Sequence, residues 1–421
     1  MYFLLHFKQS PRLTKMLTIQ TFVLPYNQTP TKRVPKMLLR NNLFHFDKPK
    51  DFDTMSISRL MRGLVFDFDD PYIPFFTPIG TTMLNNIENV FRTHFDSINC
   101  YEIQIPLIMS NNSLKSGQEI GALFEKKIMH LSRNMKDYHL MTSPEMVFVN
   151  LFSRNSIDSN AMPINYYYIS NIFRDMPDPK NILRTKQIRI FGGVSFDKTK
   201  EMREQTERNL TDALYQSFVD FGVPFHKERF SNGASSEFFY LNSKENETYM
   251  IPSIDNKHRT KSISLGMIYD YSAECPKDLF HINPITNTKE KTFITSYAVG
   301  LQRVMYMIMD HFRDSKGFNL PAHIRPCDVV FVSGQQNADI VEKMAFELSK
   351  NKINVYIDNV YGRTHIKRMD NADYIGTGLK VVSRPDGHFV FDRAGNMTTK
   401  STEPQEIVKA VIDQIAKQRT K

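Results

Sequence analysis

A chain of 421 residues, 41% hydrophobic and 24% charged, has the composition of an ordinary globular protein with room for two or three domains and a sizeable core. No apolar run approaches the ~20 residues of a membrane-spanning helix, and Cys100, Cys275 and Cys327 are too far apart to indicate a zinc site or a disulfide framework. The net charge of +9 favours a polyanionic partner, although proteins imported into organelles are often basic whatever they bind.

In chain order, Lys8, Arg12, Lys15, Lys32, Arg33, Lys36 and Arg40 all precede the first acidic residue, Asp47. Residues 1–50 therefore read as a targeting leader for the mitochondrial matrix, with a disordered basic arm as the alternative. Met83, Ile87, Val90, Phe91 and Phe95 predict an amphipathic helix over Thr81–Phe95, followed by a strand over Cys100–Ile105. Tyr166–Phe173 and Gln187–Phe196 predict two strands joined by a long polar loop, and Glu201–Phe221 a helix. Leu301, Met305, Ile308 and Phe312 form a helical stripe after a short strand. Beyond Leu320–Pro326, strands and helices alternate to the C-terminus, which predicts a mostly parallel sheet flanked by helices in a separate small domain.

Phe173-Arg174-Asp175 and Leu183-Arg184-Thr185-Lys186 place cations at both ends of a strand-loop-strand. A guanidinium forks onto phosphate oxygens, so such a hairpin suits a triphosphate. From the residues alone, a surface ion pair remains the alternative.

These same residues resemble motif 2 of the class II aminoacyl-tRNA synthetases, in the form used by the prolyl enzymes. Ser296-Tyr297-Ala298-Val299-Gly300-Leu301-Gln302-Arg303 resembles their motif 3, and Glu102-Ile103-Gln104-Ile105-Pro106 the end of motif 1. Thr77-Pro78-Ile79-Gly80, Ser143-Pro144-Glu145, Ser231 to Phe238 and Leu265-Gly266-Met267-Ile268-Tyr269 resemble further family segments in the same order. Val355-Tyr356-Ile357-Asp358 and Ala372-Asp373-Tyr374-Ile375-Gly376 resemble the anticodon-binding domain of the prolyl, threonyl, histidyl and glycyl enzymes.

The resemblance implies an α+β catalytic domain with an antiparallel sheet over 51–320, too short for an editing insertion, and a C-terminal α/β anticodon-binding domain over 321–421. It implies a homodimer that activates proline with ATP and Mg2+ and transfers it to tRNA(Pro). Arg174 would hold the α-phosphate and the proline carboxylate. Arg303 would hold the γ-phosphate and pack on adenine, Arg184 would serve the β/γ end, and Lys186 would also bind ATP. Glu237 would contact Mg2+, directly or through water. Glu145, Ser143 and Ser236 would bind proline, and Asp358, Arg363 and Lys367 the anticodon. Met176, Ile188, Ala298 and Ser236 depart from the family residues. That leaves a second reading, an inactive synthetase-like accessory subunit that binds nucleic acid or a polymerase.

Overall fold

The computed structural model describes residues 38–39, 47–70, 72–116, 125–131, 138–154, 157–177, 179, 181–229, 234–241, 249–252, 259–272 and 279–420. Most of the expected leader, Cys275 and the run Ser231–Gly233 lie outside them. Within the described residues, no helix is long and apolar enough to cross a membrane.

The first of two large sheets is built from β1 (Tyr101–Glu102), β2 (Ile164–Phe173), β3 (Gln187–Asp197), β4 (His226–Glu228), β5 (Ala234–Tyr240), β6 (Arg259–Asp270) and β7 (Phe293–Gly300). Its spatial order is β4-β5-β6-β7-β3-β2-β1, with Tyr249–Pro252 paired to β6. Neighbours are antiparallel apart from β1 on β2. The strand expected over Cys100–Ile105 is only two residues long. It ends where Ile103 donates its N–H to the Tyr167 carbonyl.

One face of this sheet is covered by α1 (Pro78–Asp96), α3 (Lys200–Asp220) and α4 (Leu301–His311), the label α2 being kept for Glu145–Ser153. The start of α1 follows from its sequence. Thr77 caps it through the Gly80 N–H, and Pro78 occupies the first turn, where its missing N–H costs nothing. Gly80 is required because a Cβ there would strike the Val65 carbonyl. Phe91 and Phe95 from α1 meet Phe191 and Tyr297 from the sheet as stacked and edge-on rings. A second apolar cluster, with Met141, Met146, Tyr168 and Ile190, covers part of the opposite face.

The second sheet contains β8 (Val329–Ser333), β9 (Val355–Asp358), β10 (Leu379–Arg384), β11 (Gly387–Asp392) and β12 (Met397–Ser401). Helices α5 (Ala338–Lys350), α6 (His365–Tyr374) and α7 (Pro404–Arg419) belong with it. The β9-β8-β10 core is parallel, as expected from the crossover helices. The β10-β11-β12 half is antiparallel, because Pro385 and Asp386 leave only a tight hairpin between β10 and β11. Leu38–Leu39, expected to lie in a leader, instead add a parallel strand to the open edge of β9. That edge offers unpaired backbone groups.

Residues 36–421 form one compact unit. The hydrophobic core continues from the first sheet into the second through Phe318, Ile324, Val330, Tyr356 and Tyr374. Tyr374 donates its hydroxyl to the Leu60 carbonyl at 2.8 Å, and Asn86 donates its amide to the carbonyls of Ile324 and Arg325.

Candidate active site

The β2–β3 hairpin opens on the sheet face opposite α1. Its ladder runs to Phe173 opposite Gln187, and Arg174 N–H extends it to the Lys186 carbonyl at 2.9 Å. The Phe173 and Asp175 amides then donate to the carbonyls of Met141 and Lys127. The hairpin mouth is thus held from both sides, which fixes where the Arg174 side chain begins.

Here the hairpin, β5, β6, β7 and the first turn of α4 enclose a cavity of about 220 Å3. Among the described residues, Arg174, Arg184, Arg303 and Lys127 line it together with one carboxylate, Glu237. Four cations against one anion among these described residues make a positive hollow, where charge-assisted bonds to phosphate are strongest. Arg303 is anchored by Nε to the Leu183 carbonyl at 3.0 Å and by Nη1 to the Ser264 carbonyl at 2.8 Å. Arg184 has a buried Nε without a hydrogen-bond partner among the described residues, an orphan donor of the kind a bound anion satisfies.

Glu237 accepts from the Ser264 hydroxyl at 2.5 Å. Burial pushes its carboxyl above the usual range, opposed by that hydroxyl and by Arg303. Ile172, Met176, Leu183, Ile188, Met267 and Ala298 make much of the remaining described wall apolar, with Thr185, Ser264 and Gln302 as its polar members.

Deeper under the hairpin, Glu145 opens α2 and is 8% exposed. Its carboxylate accepts from the Ser143 hydroxyl on one oxygen and from the Ser296 hydroxyl, at 2.5 Å, on the other. It makes no ion pair among the described residues. Tyr168 lies close by, its hydroxyl pushed well up by burial and then by the Glu145 charge. Arg174 reaches toward the same region, donating Nε to the Thr142 carbonyl at 3.4 Å. A buried carboxylate without a cation among the described residues is costly, and the Tyr168 hydroxyl feels both its charge and that of Arg174.

The structure therefore brings Arg174, Arg184, Glu237, Arg303, Ser143 and Glu145 into one region. It sends other expected residues elsewhere. Lys186 is not among the lining residues; its ammonium lies 3.8 Å from the Asp175 carboxylate, and its backbone closes the hairpin. Ser236 is buried opposite Ile268, one residue from Glu237, and so projects from the other face of the sheet into the helix-covered core. Asp358 is 1% exposed and tied to the equally buried Arg368 at 3.0 Å and to the Val360 N–H, so it frames the second sheet and cannot reach a base. Arg363 and Lys367 are partly exposed, bonded to Asp47 and to the Lys48 carbonyl.

Two participants were not singled out from sequence. Gln302 is 2% exposed, accepts from Arg189 N–H at 2.9 Å and donates to the Gln187 carbonyl at 3.1 Å, which locks β3 to α4 at the cavity wall. Ser296 is the second donor to Glu145. A lone amide in the first turn of an apolar helix was the available signal for Gln302; nothing local marked Ser296. A larger groove of about 710 Å3 between α5 and α7 mixes apolar side chains such as Ile340, Met344, Val408 and Ile412 with polar ones and has no comparable convergence of like charge.

Residues 123–312 match the model of the tRNA synthetase class II core domain (G, H, P, S and T), and the matched span contains every group lining the cavity. Over those residues the chain is similar to the class II aminoacyl-tRNA synthetases. Among its relatives, the proline–tRNA ligase of Rickettsia prowazekii (strain Madrid E) is 24% identical over 362 residues, covering 73% of this chain and 82% of the relative. The proline–tRNA ligase of Rickettsia typhi (strain ATCC VR-144 / Wilmington) is 23% identical over 391 residues, covering 80% and 90%. In fold, the chain is similar to Giardia lamblia prolyl-tRNA synthetase in complex with prolyl-adenylate, with a TM-score of 0.67 and 18% identity over 90% of this chain and 82% of that one. A Cryptosporidium parvum prolyl-tRNA synthetase complexed with L-proline and AMP gives 0.65 and 14% over the same shares.

Proposed function

We propose that this chain is a proline–tRNA ligase: it activates proline with ATP to prolyl-adenylate and transfers the prolyl group to tRNA(Pro) in mitochondrial translation. The observation that carries the reading is Glu145, a buried carboxylate without a cation among the described residues, set beside an arginine-lined cavity. An amino acid's ammonium would supply the missing charge, and its carboxylate would then point toward Arg174. The relatives' activity agrees with this arrangement.

In the first step an oxygen of the proline carboxylate attacks the α-phosphorus of ATP. The new P–O bond forms as the bond to the β-phosphate oxygen breaks, and pyrophosphate leaves. No protein nucleophile is needed. The work is to position the reactants and to balance negative charge in line with the attack. Arg174 suits the α-phosphate, Arg184 offers its unpaired Nε to the outer phosphates, and Arg303 forms the wall between Leu183 and Ser264. In the second step a ribose hydroxyl of the tRNA terminus attacks the prolyl carbonyl and AMP departs.

No cluster of three or more metal-ligating side chains occurs among the described residues. One carboxylate in a phosphate site is nevertheless the donor set Mg2+ ordinarily takes, with water and phosphate oxygens filling the rest. Glu237 would hold the ion, which would offset charge on the phosphates.

Three finer points belong to the same proposal. The acid-poor stretch before Asp47 supports matrix import. Exposed Tyr101, Leu107, Ile108 and Tyr138 around the motif 1 segment support a homodimer across that surface. Lys367 and the exposed Tyr361 support anticodon contact by the second sheet's domain.

Proline-dependent exchange of pyrophosphate into ATP by the purified chain tests the proposal. Exchange is expected with proline and Mg2+ present. A folded protein that binds tRNA but catalyses no exchange would sink the ligase reading and leave the accessory-subunit one.

A further inference from the structure

Glu145 meets two hydroxyls in an arrangement that bears on which amine the site accepts. Ser143 Oγ donates to Oε2, Ser296 Oγ donates to Oε1 at 2.5 Å, and all three side chains are buried, Ser296 at 3% exposure. The two serines come from distant parts of the chain, the turn before α2 and the middle of β7. They clamp the carboxylate from both sides and fix its plane.

An ionised carboxylate has about four acceptor positions, two on each oxygen. The serines take one on each, which leaves two. A secondary ammonium, as in proline, carries two N–H groups. A primary ammonium carries three.

We infer that Ser143 and Ser296 are specificity-determining positioning residues: by occupying one acceptor position on each oxygen of Glu145, they leave a site that satisfies both N–H groups of a secondary ammonium and strands one N–H of a primary ammonium. The inference rests on the reading of Glu145 as the amine site. In a buried pocket a stranded donor weakens binding by about tenfold or more. Discrimination against small primary amino acids such as alanine, which fit by size, would then come from hydrogen-bond counting as well as from shape.

Removing one hydroxyl should return an acceptor position to Glu145. The test is pyrophosphate exchange with proline and with alanine, measured side by side for the wild-type protein, Ser296→Ala, Ser296→Cys and Ser143→Ala. In Ser296→Ala the preference for proline over alanine, as a ratio of kcat/KM values, should fall by about tenfold. The fall should come from a lower KM for alanine and a higher KM for proline, with kcat for proline changed little. Ser296→Cys keeps a weak donor and should lie between. Ser143→Ala should shift the ratio in the same direction, and it serves as the independent variant should Ser296→Ala fold poorly.

If wild-type protein exchanges with proline but both alanine variants lose activity equally toward the two amino acids, the serines merely pack and the inference fails while the ligase reading stands. If wild-type protein exchanges with no amino acid, both fall together.

Discussion

Arg174 and Gln302 show two ways in which single residues matter at this site. The Arg174 guanidinium starts from a backbone held at both edges, and its value to the site is the planar fork. Arg174→Lys keeps the charge and loses the fork, so exchange measured as kcat/KM should fall by about a hundredfold, with the melting temperature nearly unchanged. Gln302 spends its amide on Arg189 N–H and the Gln187 carbonyl at the buried wall of the cavity. Gln302→Ala would strand both and should cost roughly 2–3 kcal/mol in denaturant unfolding, with a higher KM for ATP as β3 and α4 loosen around Arg303. If it unfolds like wild type, that pair of bonds is not what joins the two elements.

At the scale of elements, the β2–β3 hairpin and α1 were legible because each carries a local signal. Phe173-Arg174-Asp175 and Lys186-Gln187 lie where a long ladder ends, and the apolar stripe marks α1, although the helix starts at Pro78 under the Thr77 cap, ahead of the expected Thr81. The two-residue strand β1 was less legible, since its length is set by where Ile103 finds the Tyr167 carbonyl. That strand is fastened to α1 by Arg92, which forks onto Glu102 at 3.0 and 3.1 Å. The Arg92 hydrogen bond holds the Glu102 carboxyl below its usual range, against burial. A depressed folded-state value means that the stabilisation is present above the unfolded value near ~4.3 and is lost as pH falls through the lower, folded one. The melting temperature of wild type should therefore drop more steeply below about pH 4 than that of Arg92→Gln. Parallel curves would show that the pair contributes nothing, as many partly exposed pairs do.

Across the whole molecule, the two sheets share one core. Phe52 stands at the junction, its ring edge-on to Phe318 and Tyr374, with Arg313 stacked 4.7 Å from its centroid. Phe52→Ala should cost about 3–5 kcal/mol. Because the lost contacts join residues before the first sheet to residues beside the second, it should also split a single calorimetric transition into two. A uniformly lowered single transition would mean that the junction is held by the Tyr374–Leu60 and Asn86 bonds instead.

By itself, the sequence indicated several of the helices and strands, the cationic hairpin and the family those motifs resemble, because periodicity and residue type act over a few neighbouring positions. It also indicated Glu145. Tertiary structure decided which side of a strand faces the cavity, and so admitted Glu237 and turned Ser236 into the core, since alternation reverses with every residue. It buried Asp358 against Arg368, a partner ten positions away, and it brought Ser296 to Glu145 across 151 positions of chain. Pairings of that kind depend on sheet order and register, which no local pattern encodes.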